Sequence, residues 1–549
     1  MKNNLCILFL GLCSLLHANN ISVSNVVLTG QSTAGGLNHV SNHTMVQFDL
    51  SWENSWRSAG APNNWDAAWV FIKYRVGNGQ WQHARLNDTG HSVGASASID
   101  VGLQTLGSAF NSTGNPGVGA FIYRSAVGEG TFSISNVRLR WNYGANGVLD
   151  NDAVDVRVFA IEMVYVPQGN FSLGDATTTP ANGNGSDIGS NFRNGSANVP
   201  FVISGESALT LGGVNNGNLT VQTNSVSWLS DDFNVSTEQT LPATFPKGYN
   251  AFYGMKYEIS QQGYVDFLNT LTRVQQDSRT RTTLSLGVTG VTERYVMSGT
   301  TTIQRRNGIR CDAAFNGTAP IHFYCDLNGN GIGGETTDGQ WLACNWLSVY
   351  DNAAYLFWSG LRPMTELEFE KACRGPLTPV IDEYAWGSTS FNQATAINNN
   401  GAFNETSSPG ANIAMRNNEN VQGPVRVGSF ATATTTRAGS GAGYYGMMEL
   451  SGNLWERTVT IGRPSGRAYT GLHGTGMLTA DGNSDEPTWP GILGGLEIYV
   501  GGNSGMGNRG CDWFGQAQTY LTISNRSMAN YGAPDRNYNT GGRGVRSAS

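Results

Sequence analysis

Residues Gly443–Thr458, GYYGMMELSGNLWERT, combine a glycine-rich backbone, a large aromatic side chain and two carboxylates in one short stretch. The glycines permit positive φ angles and close backbone approach, and Trp455 supplies a large apolar anchor. Glu449 and Glu456 bring hard oxygen ligands next to backbone carbonyls. The stretch therefore predicts either a loop clamped by a cation, or a tight loop around a buried tryptophan with its acids at the surface.

Five further short blocks stand out in the rest of the chain. They are MVYVP at Met163–Pro167, YEIS at Tyr257–Ser260, LRPMTELEFEKACRG at Leu361–Gly375, RGCDW at Arg509–Trp513 and GRGVR at Gly542–Arg546. Together with the GNLWE segment they resemble, in the same order, the signature blocks of the formylglycine-generating enzyme (sulfatase-modifying factor) family. The resemblance runs from about Ile161 to the C-terminus. It implies a variant C-type-lectin-like fold with little regular secondary structure.

The segment from Ile21 to about Phe159 alternates polar and apolar residues in short runs separated by Gly, Asn, Ser and Pro. This pattern predicts an antiparallel β-sandwich. The expected fold class is therefore α+β, with a β-sandwich over residues 19–157 and a formylglycine-generating-enzyme-like domain over 158–549 that carries an insertion at about 176–248. Residues 144–155 have the composition of a hinge, although the alternating run VDVRVFAIEM at Val154–Met163 could instead join the two domains rigidly.

The N-terminus, MKNNLCILFLGLCSLLHANN, has one lysine, an apolar run from Leu5 to Leu16 and then small or polar residues. This pattern is typical of a secretory signal, here residues 1–18, and the run is too short to span a bilayer. We expect a protein that is secreted, extracellular or at the cell surface, without membrane insertion. Charged residues make up 13% of the chain and the net charge is −7. This composition does not predict the basic surface that binds nucleic acid.

Of the seven cysteines, five lie beyond the predicted signal segment. An odd number in an oxidising compartment leaves at least one thiol free or paired with another molecule. Cys311 and Cys325 bracket a short glycine-containing segment. We expect a disulfide between them.

Apolar residues recur at helical spacing in Gln261–Thr270, Ser348–Trp358 and Met364–Ala372. Thr365 stands three residues before Glu368, the arrangement of a capping box. The charged residues of the third segment predict a solvated helix face. They are Glu366, Glu368, Glu370 and Lys371.

The segment CDLNGNGIGGETTD at Cys325–Asp338 matches the first half of a calcium-binding loop, D-x-[DN]-x-[DN]-G. Its candidate ligands are Asp326, Asn328 and Asn330. Gly331 permits the sharp turn, but Thr337 stands where a bidentate glutamate is usual, and Glu335 and Asp338 are close by. The segment predicts either a calcium loop or an Asn-Gly turn that Cys325 ties down.

The family resemblance implies two kinds of metal site. Its structural calcium site corresponds to Glu449 in place of an asparagine, the carbonyls of Gly452 and Leu454, and the carboxylate of Glu456. The family's oxidases hold Cu(I) through two cysteines five residues apart, and these positions are Gly515 and about Tyr520 here. No cysteine follows Cys511, and one thiolate cannot form a two-sulfur site. We therefore expect calcium as a structural cofactor and do not expect copper.

The missing thiol pair favours a non-catalytic domain used for ligand binding or structural assembly. A related lectin-like use of the fold displays a ligand-binding face in the final block, where rings stack and amides donate hydrogen bonds to carbohydrate or peptide. That face would comprise Trp513, Phe514, Gln516, Gln518, Tyr520, Asn525, Arg526, Tyr531, Asp535, Arg536 and Tyr538, unless half of them fill the domain floor. Self-assembly also fits the neutral surface. The alternative is a diverged metal-dependent oxidase or sulfatase-modifying enzyme with a relocated metal site.

Overall fold

The computed structural model describes residues 21–177, 191–221, 231–415, 420–432, 434–490, 505–515, 517–532 and 535–548. The predicted signal segment and Gln516 lie outside the described residues. The described chain is mostly β-structure in several sheets with a few short helices, in line with the predicted α+β class.

The elements follow in chain order. The strands of the first part are β1 (Ser22–Ser32), β2 (His43–Arg57), β3 (Asp66–Val76), β4 (Gln82–His83), β5 (Ala97–Leu103), β6 (Gly117–Arg124), β7 (Gly128–Trp141) and β8 (Val154–Val166). The later strands are β9 (Phe171–Leu173), β10 (Arg193–Asn194), β11 (Phe201–Ile203), β12 (Leu209–Leu211), β13 (Leu219–Thr220), β14 (Gln239–Leu241), β15 (Phe252–Met255), β16 (Ile309–Cys311), β17 (Phe323–Cys325), β18 (Arg362–Thr365), β19 (Ile397–Asn398), β20 (Thr406–Ser407), β21 (Glu456–Val459), β22 (Met506–Arg509) and β23 (Gly544–Ser547). The α-helices are α1 (Gln261–Leu268), α2 (Arg273–Ser278), α3 (Val349–Trp358), α4 (Glu366–Arg374), α5 (Arg437–Ser440) and α6 (Pro464–Arg467), with 3-10 helices at Tyr143–Asn146 and Gln518–Leu521.

Two antiparallel sheets meet in the N-terminal part of the chain. One has the strand order β1-β2-β7, and the other includes β8, β3, β6 and β5. Alternate residues of β2 are buried, because one face of its sheet is solvated and the other faces a core. Phe48 of β2, Val70 of β3 and Ile122 of β6 belong to that same core.

Strand β3 is buried on both of its faces. Val70 faces the N-terminal core, whereas Trp69 and Phe71 belong to the core that also contains Trp358 of α3. The Trp69 Nε1 atom donates to the Ser359 carbonyl at 2.8 Å, and the rings of Phe71 and Trp358 meet with centroids 5.0 Å apart. The C-terminal part of the chain therefore covers the second face of this sheet.

Strand β8 continues the same sheet into the C-terminal part. It pairs with β3 from Val154 to Val164 and with β15 from Met163 to Val166. The sheet order is β22-β21-β18-β23-β15-β8-β3-β6-β5, with β4 beside β3. The domain boundary predicted between residues 157 and 158 lies inside this strand, so the two parts are joined by a continuous ladder of backbone hydrogen bonds.

The helices expected from the sequence form as α1, α3 and α4. In α4 the Thr365 hydroxyl accepts from the Glu368 amide at 3.1 Å and the Glu368 carboxylate accepts from the Thr365 amide at 3.0 Å, which is the predicted capping box. The expectation of a solvated face on α4 is wrong, because Glu366, Glu370 and Lys371 are fully buried. Among the helices that the structure describes, none is long and apolar enough to cross a membrane.

The predicted disulfide between Cys311 and Cys325 is not formed, and both are buried free thiols. Antiparallel β16 and β17 place Cys311 opposite Phe323 and Cys325 opposite Ile309. The two cysteines are thus diagonal neighbours, a relation in which Cα atoms are about 7–8 Å apart. A disulfide needs a separation of roughly 4.4–6.8 Å, so the strand register keeps these thiols apart.

Candidate functional site

The Gly452 loop, residues 449–455, turns sharply and is pinned at several points. Glu449, Gly452 and Asn453 have φ angles of 55°, 91° and 62°. A Cβ atom on Gly452 would lie 2.5 Å from Ile413 Cγ1, so only glycine fits there. The Gly452 amide donates to the Gly510 carbonyl at 2.7 Å, and Trp455 is 8% exposed. The loop is thus held against the RGCDW block with its tryptophan buried, as the sequence predicted for the anchor.

Three buried carboxylates surround this loop. Glu258 Oε1 accepts from the Leu454 amide at 3.0 Å, and its Oε2 accepts from Asn453 Nδ2 at 2.5 Å. Glu449 Oε1 accepts from the Gly428 amide at 2.8 Å. Glu456 Oε1 accepts from Arg543 Nε at 2.5 Å. Sequence reasoning found Glu449 and Glu456 but missed Glu258, whose only signal was its place in the YEIS block.

The carboxylates of this loop are short of positive partners. Burial raises the pKa of Glu449 to about 7, against the attraction of Arg543. Burial, followed by the charge of Glu456, also raises the pKa of Glu258 well above its ordinary value. Glu449 Oε2 and Glu456 Oε2 are buried and have no hydrogen-bond partner among the described residues. Glu449 and Glu456 therefore have raised pKa values, and each has one unsatisfied carboxylate oxygen.

This arrangement fits a hard cation. Carboxylate oxygens of Glu449 and Glu456, with the carbonyls of Gly452 and Leu454, are the donor types that calcium prefers. In the described parts of the chain, no group of three or more His, Cys, Asp or Glu side chains could hold a metal ion by itself. A calcium ion at this loop would therefore depend on backbone carbonyls as well as on the two glutamates.

The positions of the family's thiol pair do not fit copper. The resemblance assigns these positions to Gly515 and about Tyr520. Cys511 is buried, and a Cβ atom on Gly515 would lie 2.4 Å from its Sγ atom. Burial, followed by the charge of Asp512, raises the pKa of Cys511 well above its ordinary value. A single buried, protonated thiol is not a ligand set for Cu(I), so no copper chemistry follows from these residues.

Asp512 is the acidic residue of the RGCDW block. Its Oδ1 accepts from the amides of Phe514 and Gly515 at 2.6 and 2.9 Å, and its Oδ2 accepts from Asn539 Nδ2 at 3.1 Å. Burial raises the pKa of Asp512 to about 7, against these hydrogen bonds. The carboxylate is 2% exposed, so it braces the turn before Gly515.

Part of the predicted ligand-binding face is interior. Arg526 is fully buried, with Nε 2.7 Å from Glu366 Oε2 and Nη1 2.7 Å from Asp231 Oδ2. Trp513 and Asn525 are buried too. Arg536 Nε donates to Asp351 Oδ2 at 2.7 Å near the start of α3. Trp513, Asn525 and Arg526 are therefore buried in the domain, and Arg536 is half-buried.

The remaining described members of that face reach solvent. Asp535 is exposed, and the half-buried members are Phe514, Gln518, Tyr520, Tyr531 and Tyr538. Tyr520 packs near Trp455, with ring centroids 6.0 Å apart. The predicted set therefore includes buried residues and a partly exposed rim, which consists of these six residues.

An aromatic patch forms on this rim. Its half-buried members are Arg305, Trp346, Phe514 and Tyr538, and the buried Trp513 ring packs against Phe514 and Tyr538. The rings of Phe514 and Tyr538 lie 5.3 Å apart and those of Trp346 and Tyr538 lie 6.0 Å apart. The guanidinium of Arg305 lies 5.6 Å from the ring centroids of both Trp513 and Tyr538. Sequence reasoning missed Arg305 and Trp346, since both precede the final block by more than 150 residues.

The other predicted calcium ligands lie in the loop after β17. Asp326 is fully buried and forms an ion pair with Arg310. Asn328 and Asn330 are exposed.

The family described as sulfatase-modifying factor enzyme 1-like domain matches residues 213–547, more than half of the chain. The chain belongs to this family. The sulfatase-modifying factor domain predicted for the C-terminal part is thereby confirmed, and it includes the Gly452 loop, α4 and the aromatic patch. The match begins within the insertion predicted at about 176–248. No curated protein matches the chain.

Proposed function

We propose that this sulfatase-modifying factor domain is not catalytic and instead binds a carbohydrate or peptide ligand, or assembles with other proteins, outside the cell or at its surface. The signal-like N-terminus supports the location. The resemblance assigns the two thiol positions of the family's oxidases to Gly515 and about Tyr520, and the lack of cysteine there argues against oxidase chemistry.

The aromatic patch is the observation that carries this proposal. Phe514 is next to Gly515, the position that the resemblance assigns to the first thiol of the family's oxidases. Phe514, Tyr538 and Trp346 are half-buried, which leaves ring edges and faces for a ligand to stack on. The guanidinium of Arg305, within cation–π distance of Tyr538, can donate hydrogen bonds to ligand oxygens. Such a surface suits a sugar ring or an extended peptide.

We also propose a structural calcium ion at the Gly452 loop. Glu449 Oε2 and Glu456 Oε2 are its carboxylate donors, and Gly452 and Leu454 contribute carbonyls. The ion would offset the negative charge of these carboxylates and fix the loop. Because the Trp513 amide donates to the Asn453 carbonyl at 2.8 Å, a fixed loop also holds the floor of the aromatic patch.

Binding of the purified protein to glycan and peptide arrays, with calcium and with EGTA, tests the proposal. Phe514→Ala and Tyr538→Ala should each weaken binding about tenfold or more, since partly buried aromatic anchors dominate such interfaces. Phe403→Ala is a matched control, because Phe403 is 39% exposed and lies outside the patch. Equal binding by all three variants and the wild type would place the ligand elsewhere.

The catalytic alternative has its own test. The protein is incubated with Cu(I) and a peptide carrying the sulfatase cysteine motif, followed by copper analysis and aldehyde detection. We expect no stoichiometric copper and no aldehyde. Stoichiometric copper together with turnover would establish the oxidase and overturn the non-catalytic proposal.

A further inference from the structure

The loop from Asp326 to Asp338 brings oxygen atoms of several residues to one point. Asn328 Nδ2 lies 3.0 Å from Glu335 Oε2, 3.1 Å from Thr337 Oγ1 and 3.0 Å from Asp338 Oδ1. The side-chain NH2 group of Asn328, whose hydrogens carry partial positive charge, thus contacts three oxygens. Rotation of the amide by 180° would turn Asn328 Oδ1 toward the same point.

A buried carboxylate lies at the base of this loop. Asp326 is fully buried, and its Oδ2 accepts from the Gly331 amide at 3.1 Å, which holds the carboxylate against the loop backbone. Its other oxygen, Oδ1, is buried and has no hydrogen-bond partner in the described parts of the chain. A buried carboxylate oxygen without a donor is costly, and a cation in the loop would remove that cost. This observation does not depend on the contacts around Asn328.

Charge in the loop favours a cation. Asp326, Glu335 and Asp338 supply three carboxylates, and the cation that contacts them is Arg310, through Asp326. Asn328 and Thr337 are exposed, so an ion can enter from solvent.

We propose that this loop binds one calcium ion through Asn328, Glu335, Thr337 and Asp338, with Asp326 at its base. The structure changes the ligand set expected from the motif, because Glu335 and Asp338 together replace the glutamate that is missing at position 337. Oxygens of carboxylate, amide and hydroxyl type at this spacing suit calcium, whose bonds to oxygen are about 2.3–2.6 Å long. The carboxylates do not form a metal site by themselves within the described residues, so the amide and hydroxyl donors complete it. The site is separate from the Gly452 loop and independent of the ligand proposed for the aromatic patch.

Calcium titration of the metal-free, full-length protein by calorimetry tests the site. The titrations use a Glu449→Gln variant, in which calcium should no longer bind at the Gly452 loop. The remaining calcium binding then reports on the Asp326–Asp338 loop. In this background Glu335→Gln should weaken calcium binding about tenfold or more, since affinity depends on the number of charged ligands. Asp312→Asn is the control, because Asp312 is exposed, contacts Tyr324 and supplies no ligand.

Terbium luminescence provides a second measurement on the same variants. The Tyr324 hydroxyl lies 3.3 Å from the Gly331 carbonyl, close enough for its ring to sensitise an ion in the loop. We expect emission that calcium competes away, and that Glu335→Gln loses. Asp338→Asn should also lose this emission. Asp338 is buried, so if this variant does not fold, the result for the half-buried Glu335 is the one that tests the proposal. Identical calcium affinity and terbium emission in Glu335→Gln and Asp312→Asn would overturn the proposal.

Discussion

Two buried groups of glutamates in the same domain differ in how their charge is matched. The first lies on α4, where Glu366, Glu368 and Glu370 face the guanidinium groups of Arg362, Arg374, Arg509 and Arg526. The second lies at the Gly452 loop, where Glu258, Glu449 and Glu456 have Arg543 as their closest shared cation. Each α4 glutamate forms an ion pair with a guanidinium group. At the Gly452 loop Glu456 pairs with Arg543, whereas Glu258 and Glu449 accept hydrogen bonds from backbone amides.

The protonation of the two groups follows from this difference. Burial acts to raise the pKa of Glu366, but the charge and hydrogen bonds of Arg526 outweigh it and hold that pKa below its ordinary value. At Glu449 burial prevails, and its pKa rises to about 7. Burial alone therefore does not predict whether a carboxylate forms a structural ion pair or is available to bind a metal ion. The direct contacts of the carboxylate differ, because Arg526 donates to Glu366 whereas the Gly428 amide donates to Glu449.

Removing a guanidinium from the matched group should have the largest effect. Arg526→Met leaves Glu366 and Asp231 buried without their partner, and we expect the free energy of unfolding to fall by about 3–5 kcal/mol. Urea denaturation measures the change. Arg75→Met is the control, because Arg75 pairs with Asp155 on the surface, and the expected loss there is at most about 1 kcal/mol. Equal small losses in the two variants would show that the α4 pairs do not stabilise the fold.

Calcium should stabilise the unmatched group. In a Glu335→Gln background, which silences the Asp326 loop, calcium at a hundredfold excess over its dissociation constant should add about 2.7 kcal/mol to the free energy of unfolding. Glu449→Gln should abolish this gain, whereas Glu366→Gln should destabilise the protein and retain the gain. Thermal melts with calcium and with EGTA compare the three proteins. A gain that survives in Glu449→Gln would exclude the ion from the Gly452 loop.

The last effect is on the pH dependence of stability without metal, and it is the smallest when expressed per pH unit. The folded pKa of Glu449, about 7, lies above the ordinary value of 4.5, so between these pH values the folded state binds more protons than the unfolded state. The stability that this group contributes is fully present below about pH 4.5 and is lost as the pH rises through about 7. The slope reaches at most about 1.4 kcal/mol per pH unit.

Urea denaturation in EDTA from pH 5 to pH 8 measures this slope. Glu449→Gln should reduce it, and Glu366→Gln should not. Calcium affinity should change in the opposite direction and increase as the pH rises through about 7, since the ion needs the ionised carboxylate. The same pH slope in wild type and Glu449→Gln would mean that Glu449 is ionised in the folded protein.

Much of the site could be predicted from local sequence. The GNLWE segment indicated a glycine-dependent loop with a buried tryptophan, and Thr365 with Glu368 indicated the start of α4. Glu258, Arg305 and Trp346 were missed as parts of the site, because they reach it from segments far from the final block. Cys311 and Cys325 were paired by their spacing, but the register of β16 and β17 sets them diagonally apart.

The sequence by itself determined the family, the helix starts and the turns, since these depend on residues a few positions apart and on the order of short blocks. Only the tertiary structure decided which charges are buried and what they contact. Arg526 donates a hydrogen bond to Glu366, although the two residues are 160 positions apart in the sequence. The face of α4 that the sequence pattern predicts to be solvated is therefore part of a buried ion-pair network. Such pairing depends on which strands and loops pack against α4. Helical periodicity does not predict these contacts, because it indicates only which residues of one helix share a face.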